Sequence, residues 1–194
     1  MGSIGQAQGM STGQALGLLA LRGCLAGARV LVRPFAAEDI SVTYLAWLRD
    51  PAVVCFSNQR FRVHTLESCR FYLATFTDSS NHFLAICDQK SGTMLGTLTV
   101  YCSTPHGTAD IGIMIGERNV WGKGIGAEAF CLVLSALKAS GAIRKVTAGT
   151  LAVNKGMVRI MEKAGMRHEA TRRAQELFDG APADVVYYAT FCHD

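Results

Sequence analysis

The sequence lacks an apolar segment long enough to cross a membrane, since no apolar run reaches the ~20 residues that a spanning helix requires. Disorder is also excluded, because hydrophobic residues make up 49% of the 194 residues and charged residues only 18%. A chain of this length is able to bury a sizeable core within one domain. We therefore predict a globular protein with no membrane partner.

Paired cysteines and blocks of like charge are missing as well. The seven cysteines are odd in number and form no C-x-x-C pair. This gives little support to a metal site or a disulfide framework, and it favours reduced thiols in a cytoplasmic protein. The net charge of +4 is too small to indicate nucleic-acid binding, although it suits a small anionic ligand. We expect no metal and no nucleic-acid partner.

The first part of the chain shows no clear targeting signal. No positive charge precedes its apolar portion, which argues against a secretory signal. Gln6 stands where N-myristoylation requires Ser or Thr. We predict that residues 1–28 are an extension of unknown role and that residues 29–194 form a single domain.

Hydrophobic periodicity within that domain predicts strands first as a meander and then alternating with helices. This order indicates a mixed α+β sheet with helices on both faces. The predicted strands are 29–34, 82–88, 94–101, 109–115, 145–151, 166–170 and 185–191; the predicted helices are 37–49, 66–76 after a Thr65 cap, 124–139, and one that follows Asn154 and ends near Gly165.

A glycine-rich stretch connects the predicted strand 109–115 to the long apolar helix predicted at 124–139. Gly122, Gly124 and Gly126 alternate just before the helix, and no Ser, Thr, Asp or Asn immediately precedes it as a cap. The first N–H groups of a helix have no partner within the helix, and the helix dipole favours negative charge there. The stretch is either an anion-binding loop or a plain glycine turn whose amides face water. Its spacing matches neither a P-loop nor the dinucleotide pattern.

The run from Trp121 to Ala129 resembles the acetyl-CoA loop of the GNAT superfamily of N-acetyltransferases, whose pattern is Q/R-x-x-G-x-G/A. Trp121 replaces the Gln or Arg, as in the branch that includes ribosomal-protein and amino-sugar acetyltransferases. The order of elements from residue 29 onward is similar too. The resemblance implies a six- to seven-stranded, mostly antiparallel sheet, splayed between two central parallel strands.

The resemblance also implies acetyl-CoA as co-substrate and a set of residues that bind it. The amides of the loop would hold the pyrophosphate, with charge added by Lys123, and Asn154 would bind the pantetheine arm. A backbone N–H near Met114 or Ile115 would stabilise the oxyanion. The implied cofactor-binding residues are Met114, Ile115, Trp121, Gly122, Lys123, Gly124, Ile125, Gly126 and Asn154.

Acetyl transfer to an amine calls for a base, and Asp110 is the first candidate. It alternates onto the same strand face as Gly112, and a glycine inside a strand indicates a bulge or a close backbone approach. A strand-edge aspartate beside a turn is the other interpretation. His64 is the second candidate for the base. Asn58 and Arg60, in a polar segment between two helices, are the predicted substrate-binding residues by weaker resemblance.

Two positions depart from the family pattern. Met157 and Met161 stand where the family has a Ser and a Tyr whose hydroxyls lie near the CoA sulfur. Neither methionine donates a proton, so the thiolate leaves unprotonated or by way of water, or another donor such as Tyr187 or Tyr188 serves. We predict transfer of acetyl to a primary amine in a ternary complex, with an amino sugar as the favoured small-molecule acceptor. A protein N-terminus, a non-catalytic acyl-CoA-binding module and a homodimer are left open.

Overall fold

The computed structural model describes residues 20–192 and contains one eight-stranded sheet. The strands are β1 (Leu25–Ala26), β2 (Val30–Pro34), β3 (His82–Asp88), β4 (Met94–Ser103), β5 (Thr108–Ile115), β6 (Lys145–Leu151), β7 (Arg167–Phe178) and β8 (Ala181–Phe191). Their order across the sheet is β1-β2-β3-β4-β5-β6-β8-β7. All neighbours are antiparallel except β5 and β6, which are parallel.

Five α-helices cover the sheet on both sides. They are α1 (Val42–Arg49), α2 (Pro51–Val54), α3 (Leu66–Ala74), α4 (Ile125–Ala139) and α5 (Lys155–Lys163). Helices α4 and α5 pack through residues such as Phe130 and Met161 on one side, here called the α4 face. Helices α1 and α3 pack through residues such as Trp47 and Cys69 on the other side, the α1 face. The mixed α+β class and the two helical layers are confirmed.

The sheet has one strand more than predicted, because residues 25–26 pair with β2. Leu21, in a 3-10 turn just before this strand, is only 1% exposed and belongs to the core of the α4 face. Residues 20–28 thus pack against the domain that was predicted to begin at residue 29, and residues 1–19 lie outside the described part of the chain.

Local signals explain where the helices begin. Thr65 caps α3 by accepting a hydrogen bond from the Ser68 N–H, as the sequence predicted. The predicted helix 37–49 is instead a 3-10 turn, Ala37–Asp39, followed by α1, because the Ser41 hydroxyl accepts from the Tyr44 N–H and starts a new helix there. Within residues 20–192, no helix combines the length and the apolar character that crossing a membrane requires.

Candidate active site

The loop between β5 and α4 presents unpaired backbone donors. Gly122 and Gly124 have φ of 73° and 83°, in the left-handed region that favours glycine. Gly124 is the N-cap of α4 and offers no side chain to the first turn. The N–H groups of Gly122 and of residues 124–127 find no acceptor within residues 20–192. A 15-residue helix therefore begins at this loop with its positive end and several free donors unpaired.

Arg29 holds this loop in place through hydrogen bonds to Glu128 and to the Lys123 carbonyl. Its backbone N–H and Nε donate to the two carboxylate oxygens of Glu128 at 2.8 Å each, and its Nη1 donates to the Lys123 carbonyl at 2.6 Å. The Trp121 indole N–H donates to the Ile115 carbonyl at 2.9 Å, which ties the start of the loop to the end of β5. The carbonyls of Lys123 and Gly124 therefore accept hydrogen bonds within the protein, whereas several amides of the loop remain available.

Parallel strands β5 and β6 separate almost at once. They pair only at residues 108–110 with 145–147, although β5 continues to Ile115 and β6 to Leu151. We call the opening beyond these pairs the β5–β6 gap. Gly112 and Gly149 border the gap on the α1 face and carry no side chain to fill it. The N-termini of α4 and α5 both lie at this end of the sheet, because each helix follows one of the two parallel strands.

The antiparallel register with β4 determines which amides of β5 face the gap. The Gly116 N–H donates to the Leu95 carbonyl, and alternate residues of an antiparallel pair exchange hydrogen bonds. Met114 therefore directs its N–H toward β4, while Ile113 and Ile115 direct theirs into the gap. Of the two predicted oxyanion donors, the register favours Ile115 and adds Ile113.

Gly112 allows the Thr99 side chain to approach the backbone of β5 closely, and it does not form a bulge. The pairing of β4 with β5 runs without a register shift from residue 96 to residue 103. A Cβ on Gly112 would lie 2.7 Å from the Thr99 hydroxyl, inside the contact distance of real side chains. Of the two interpretations of this glycine, the bulge is therefore absent between these two described strands.

A single cavity of about 1070 Å³ joins the loop, the gap and the α1 face. Its lining includes most of the residues that the sequence predicted: Asn58, His64, Asp110, Met114, Ile115, Trp121, Gly122, Gly124, Ile125, Gly126 and Asn154. Two predicted residues do not line it. Lys123 is exposed on the outside of the loop. Arg60 turns away, and its guanidinium donates to the carbonyls of Ser57 and Leu177 at 2.9 and 3.0 Å.

Asp110 lies at the closed end of the gap, on the last residue pair that β5 and β6 share. Its carboxylate accepts a hydrogen bond from the Thr147 hydroxyl at 2.7 Å. Burial raises the pKa of Asp110 above its ordinary value, and the Thr147 hydrogen bond offsets part of that rise. A strand-edge aspartate beside a turn was the alternative interpretation; in the structure Asp110 is half-buried and lines the cavity. A carboxyl group with a raised pKa in a cavity is suited to proton transfer.

His64, the second candidate base, is held in place by its surroundings. It is 8% exposed, and its Nε2 lies 3.1 Å from the Gln59 carbonyl. Its own carbonyl accepts two hydrogen bonds from the Arg49 guanidinium, at 3.1 and 2.7 Å. These contacts fix the segment between α2 and α3 against α1. His64 lines the cavity, but one of its ring nitrogens already contacts the Gln59 carbonyl.

Asn154 is the N-cap of α5. Its Oδ1 accepts from the Met157 N–H at 3.2 Å, and its Nδ2 donates to the Thr150 hydroxyl at 3.0 Å. One Nδ2 hydrogen remains for a ligand in the cavity. Met157 also lines the cavity, whereas Met161 is fully buried in the core of the α4 face.

Sequence reasoning missed two basic residues that line the same cavity. Arg159 and Lys163 are four positions apart on α5, so they share one helix face. That spacing is visible in the sequence. Within residues 20–192 no cluster of three or more His, Cys, Asp or Glu residues is arranged to hold a metal ion.

A sheet that opens between two parallel strands beside an uncapped helix N-terminus is suited to hold an extended ligand that carries phosphate groups. The family model described as acetyltransferase (GNAT) domain matches residues 29–167. The chain belongs to this family and is an acyltransferase.

Solved structures support the same fold. An acetyltransferase of the GNAT family from Bacillus anthracis aligns with a TM-score of 0.75 at 20% identity, over 88% of this chain and 99% of its own. A ribosomal L7/L12 alpha-N-protein acetyltransferase in complex with coenzyme A aligns at 0.76 and 15%, over 87% and 97%. Spermidine N-acetyltransferase from Vibrio cholerae, in complex with CoA and spermine, aligns at 0.75 and 14%, over 85% and 96%. None of the curated proteins matches the sequence.

Proposed function

We propose that the protein transfers an acetyl group from acetyl-CoA to the primary amine of a small molecule such as an amino sugar, by direct transfer in a ternary complex. The observation that carries this proposal is the row of unpaired amides at the α4 N-terminus, which opens into the same cavity as the β5–β6 gap. A diphosphate bound there would gain several N–H donors at once, with Arg159 and Lys163 beside it.

The dimensions of the gap fit an extended chain between the loop and Asp110. Gly126, in the first turn of α4, packs against Ile115, since a Cβ on Gly126 would lie 3.3 Å from the Ile115 side chain. From Ile115 back to Asp110, β5 extends for about 17 Å at the usual rise of a strand. The exposed edges of β5 and β6 offer N–H and C=O groups to the amides of a pantetheine arm along that length.

Bound acetyl-CoA supplies an activated acyl group, and the residues of the chain position it and move protons. The N–H groups of Ile113 and Ile115 are placed to stabilise negative charge on the thioester oxygen. Asp110 is placed to accept the proton that the attacking amine gives up, directly or through one water. Alignment of both substrates in one cavity supplies much of the remaining acceleration.

The acceptor side of the cavity favours a small polar amine. Hydroxyl, amide and imidazole groups line it together with aromatic rings: Asn58, Gln59, His64, Ser68, Tyr72, Thr99, Tyr101 and Tyr187. Such a surface hydrogen-bonds a polyhydroxylated ring and contacts its apolar faces. We place the protein in the cytoplasm, consistent with its seven free thiols.

Thermal unfolding tests the co-substrate. We expect acetyl-CoA to raise Tm, and Gly124→Glu to abolish the rise by placing a charged side chain among the free amides. Gly92→Glu is the matched control, since Gly92 also has positive φ but lies in the β3–β4 turn, where no atom lies within 4 Å of an added Cβ. Absence of any Tm shift with acetyl-CoA would contradict the proposal.

Release of free thiol over a panel of amines tests the acceptor. Amino sugars are expected to give the fastest release, and faster release with peptides would instead indicate a protein N-terminus. A non-catalytic acyl-CoA-binding module is the second candidate, favoured by the absence of a hydroxyl at Met157 and Met161. It predicts binding of acetyl-CoA with no amine-dependent thiol release.

A further inference from the structure

Two adjacent tyrosines of β8 point to opposite faces of the sheet. Tyr188 lies in the core of the α4 face, and its hydroxyl donates to the Glu162 carboxylate at 3.3 Å. Tyr187 lines the cavity on the α1 face, and its hydroxyl has no hydrogen-bond partner within residues 20–192. The Tyr187 hydroxyl is therefore available to a ligand, and the Tyr188 hydroxyl is committed elsewhere.

The ring of Tyr187 lies over the bare backbone of the gap. Gly149 is its register partner on β6, and a Cβ at Gly149 would be 2.8 Å from Cε1 of the tyrosine ring. A residue larger than glycine at position 149 would displace the ring. The glycine thus lets the phenol lie against β6 at the border of the gap.

Tyr187 and Asp110 share a face at the closed end of the gap. Asp110 pairs with Thr147, and Thr147 lies two residues before Gly149 on β6. Two residues along a strand span about 7 Å, so the ring and the carboxylate lie on either side of the position where the gap begins. A reacting thioester between them would have a proton acceptor on one side and a hydroxyl on the other.

We propose that Tyr187 donates the proton that the leaving thiolate of CoA needs. The inference rests on the proposed function. The amine nitrogen forms a bond to the carbonyl carbon while the carbon–sulfur bond breaks and its electron pair goes to sulfur. Asp110 takes one proton from the amine nitrogen, and Tyr187 gives its hydroxyl proton to sulfur. Solvent then returns a proton to the phenolate and removes one from the Asp110 carboxyl.

Arg172 supports this role from β7. Its guanidinium carbon lies 5.0 Å from the centroid of the Tyr187 ring. A positive charge at this distance partly offsets the negative charge that the phenolate carries after proton donation. The donor that Met157 and Met161 do not provide from the α4 face is thereby provided from the α1 face of the sheet.

The test measures the pKa of the CoA thiol bound to the protein, without any acceptor amine and therefore without turnover. Thiolate ultraviolet absorbance during a pH titration gives the pKa of the CoA thiol in the binary complex. A hydroxyl that hydrogen-bonds the thiolate lowers this pKa below that of free CoA, and Tyr187→Phe should raise it by about one unit relative to wild type. Tyr188→Phe, the matched control, should leave it unchanged.

Rate measurements give a second readout. Tyr187→Phe is expected to lower kcat roughly a hundredfold with little change in the Kd of CoA, and to lower it less for an acetyl thioester whose thiol is more acidic. A bound thiol whose pKa equals that of free CoA in the wild-type protein would overturn the inference, whether or not the variant folds. Failure of CoA to bind at all would instead overturn the proposed function.

Discussion

At the scale of single residues, the proposed role of Asp110 as the base depends on two opposing influences on its pKa. Burial raises the pKa of its carboxyl group, and the hydrogen bond from Thr147 stabilises the ionised form and lowers the pKa. A base accepts a proton only in its ionised form. Activity should therefore fall as the pH falls through the raised pKa of Asp110, at a higher pH than for an ordinary aspartate.

Thr147→Val removes the hydroxyl and retains the shape of the side chain. The pKa of Asp110 should then rise further, so the acid limb of the pH profile of kcat/KM should move to higher pH. Thr190→Val is the matched control, because Thr190 lies on β8 and its hydroxyl contacts only the Phe191 carbonyl. An acid limb that stays in place in Thr147→Val would argue that another group is the base. Asp110→Asn should lower kcat/KM by ~10²–10⁴-fold.

A second prediction at this scale concerns Arg29, whose planar guanidinium group donates hydrogen bonds to both Glu128 and the Lys123 carbonyl. Arg29→Met should weaken CoA binding roughly three- to tenfold, because the loop loses the contacts that keep its amides directed into the cavity. Arg29→Lys should recover only part of the affinity, since a lysine does not reproduce the planar fork. Calorimetric titration with CoA measures the effect.

Arg173, exposed on β7, provides the control for that titration: Arg173→Met changes the net charge equally but lies away from the loop. An equal loss of affinity in both variants would mean that net charge, and not loop geometry, is responsible.

At the scale of elements, the close packing of α1 on the end of β5 is the most demanding contact. A Cβ on Gly116 would lie 2.0 Å from Cδ2 of Trp47, so it would overlap sterically with the indole ring. Trp47 is 7% exposed and packs edge-on against Tyr44, so it has little freedom to move. Glycine at 116 is required for α1 to cover this part of the sheet.

Gly116→Ala should therefore lower the free energy of unfolding by about 1–3 kcal/mol through overpacking. Gly156→Ala is the matched control, since Gly156 lies within α5 and the nearest atom to an added Cβ is 3.5 Å away. There alanine should stabilise the protein by up to about 1 kcal/mol. Urea unfolding followed by circular dichroism compares the two. Equal stabilities would contradict the packing described for Trp47.

Strong periodicity made most elements predictable from the sequence. Strands 82–88 and 145–151 were predicted with the bounds that the structure has. Strand β1 has only two residues and no pattern to detect. The hairpin of β7 and β8 extends well beyond the prediction because β7 is exposed along nearly all of its length, so it shows no alternation of buried and exposed residues.

The site was predictable where it is local in sequence and not where it depends on register. The glycine loop and the Asn154 cap lie on short stretches with recognisable residue types. The fork of Arg29 joins residues 99 positions apart, and the location of Tyr187 over Gly149 follows from strand pairing across the sheet. No local pattern encodes such pairings, so these contacts required the structure.

At the scale of the whole molecule, His82 couples folding to pH. It is buried, and its Nε2 has no hydrogen-bond partner within residues 20–192. Burial, together with the charge of Arg22, lowers the pKa of His82 below its ordinary value. The unfolded chain therefore binds a proton at a pH where the folded chain does not. Stability should decline as the pH falls from the unfolded pKa of about 6.5 toward the lower folded pKa.

His82→Leu should flatten this decline, because it removes the proton that only the unfolded state binds. Urea unfolding at about pH 7.5 and about pH 5.5 measures the difference in the free energy of unfolding. His106→Gln serves as control, since His106 is exposed in the turn before β5. A decline of equal size in wild type and His82→Leu would assign the pH dependence to other groups.

Because β5 and β6 share only three register pairs, the sheet on its own is two smaller sheets joined at one corner. An elongated substrate bound along the free edges of β5 and β6 would form hydrogen bonds with both strands, as an additional strand would, and would connect the two parts of the sheet. Binding of the substrate would then stabilise the sheet itself. The amide hydrogens of Ile113 and Ile115 should exchange with solvent quickly in the free protein and slowly when the ligand is bound.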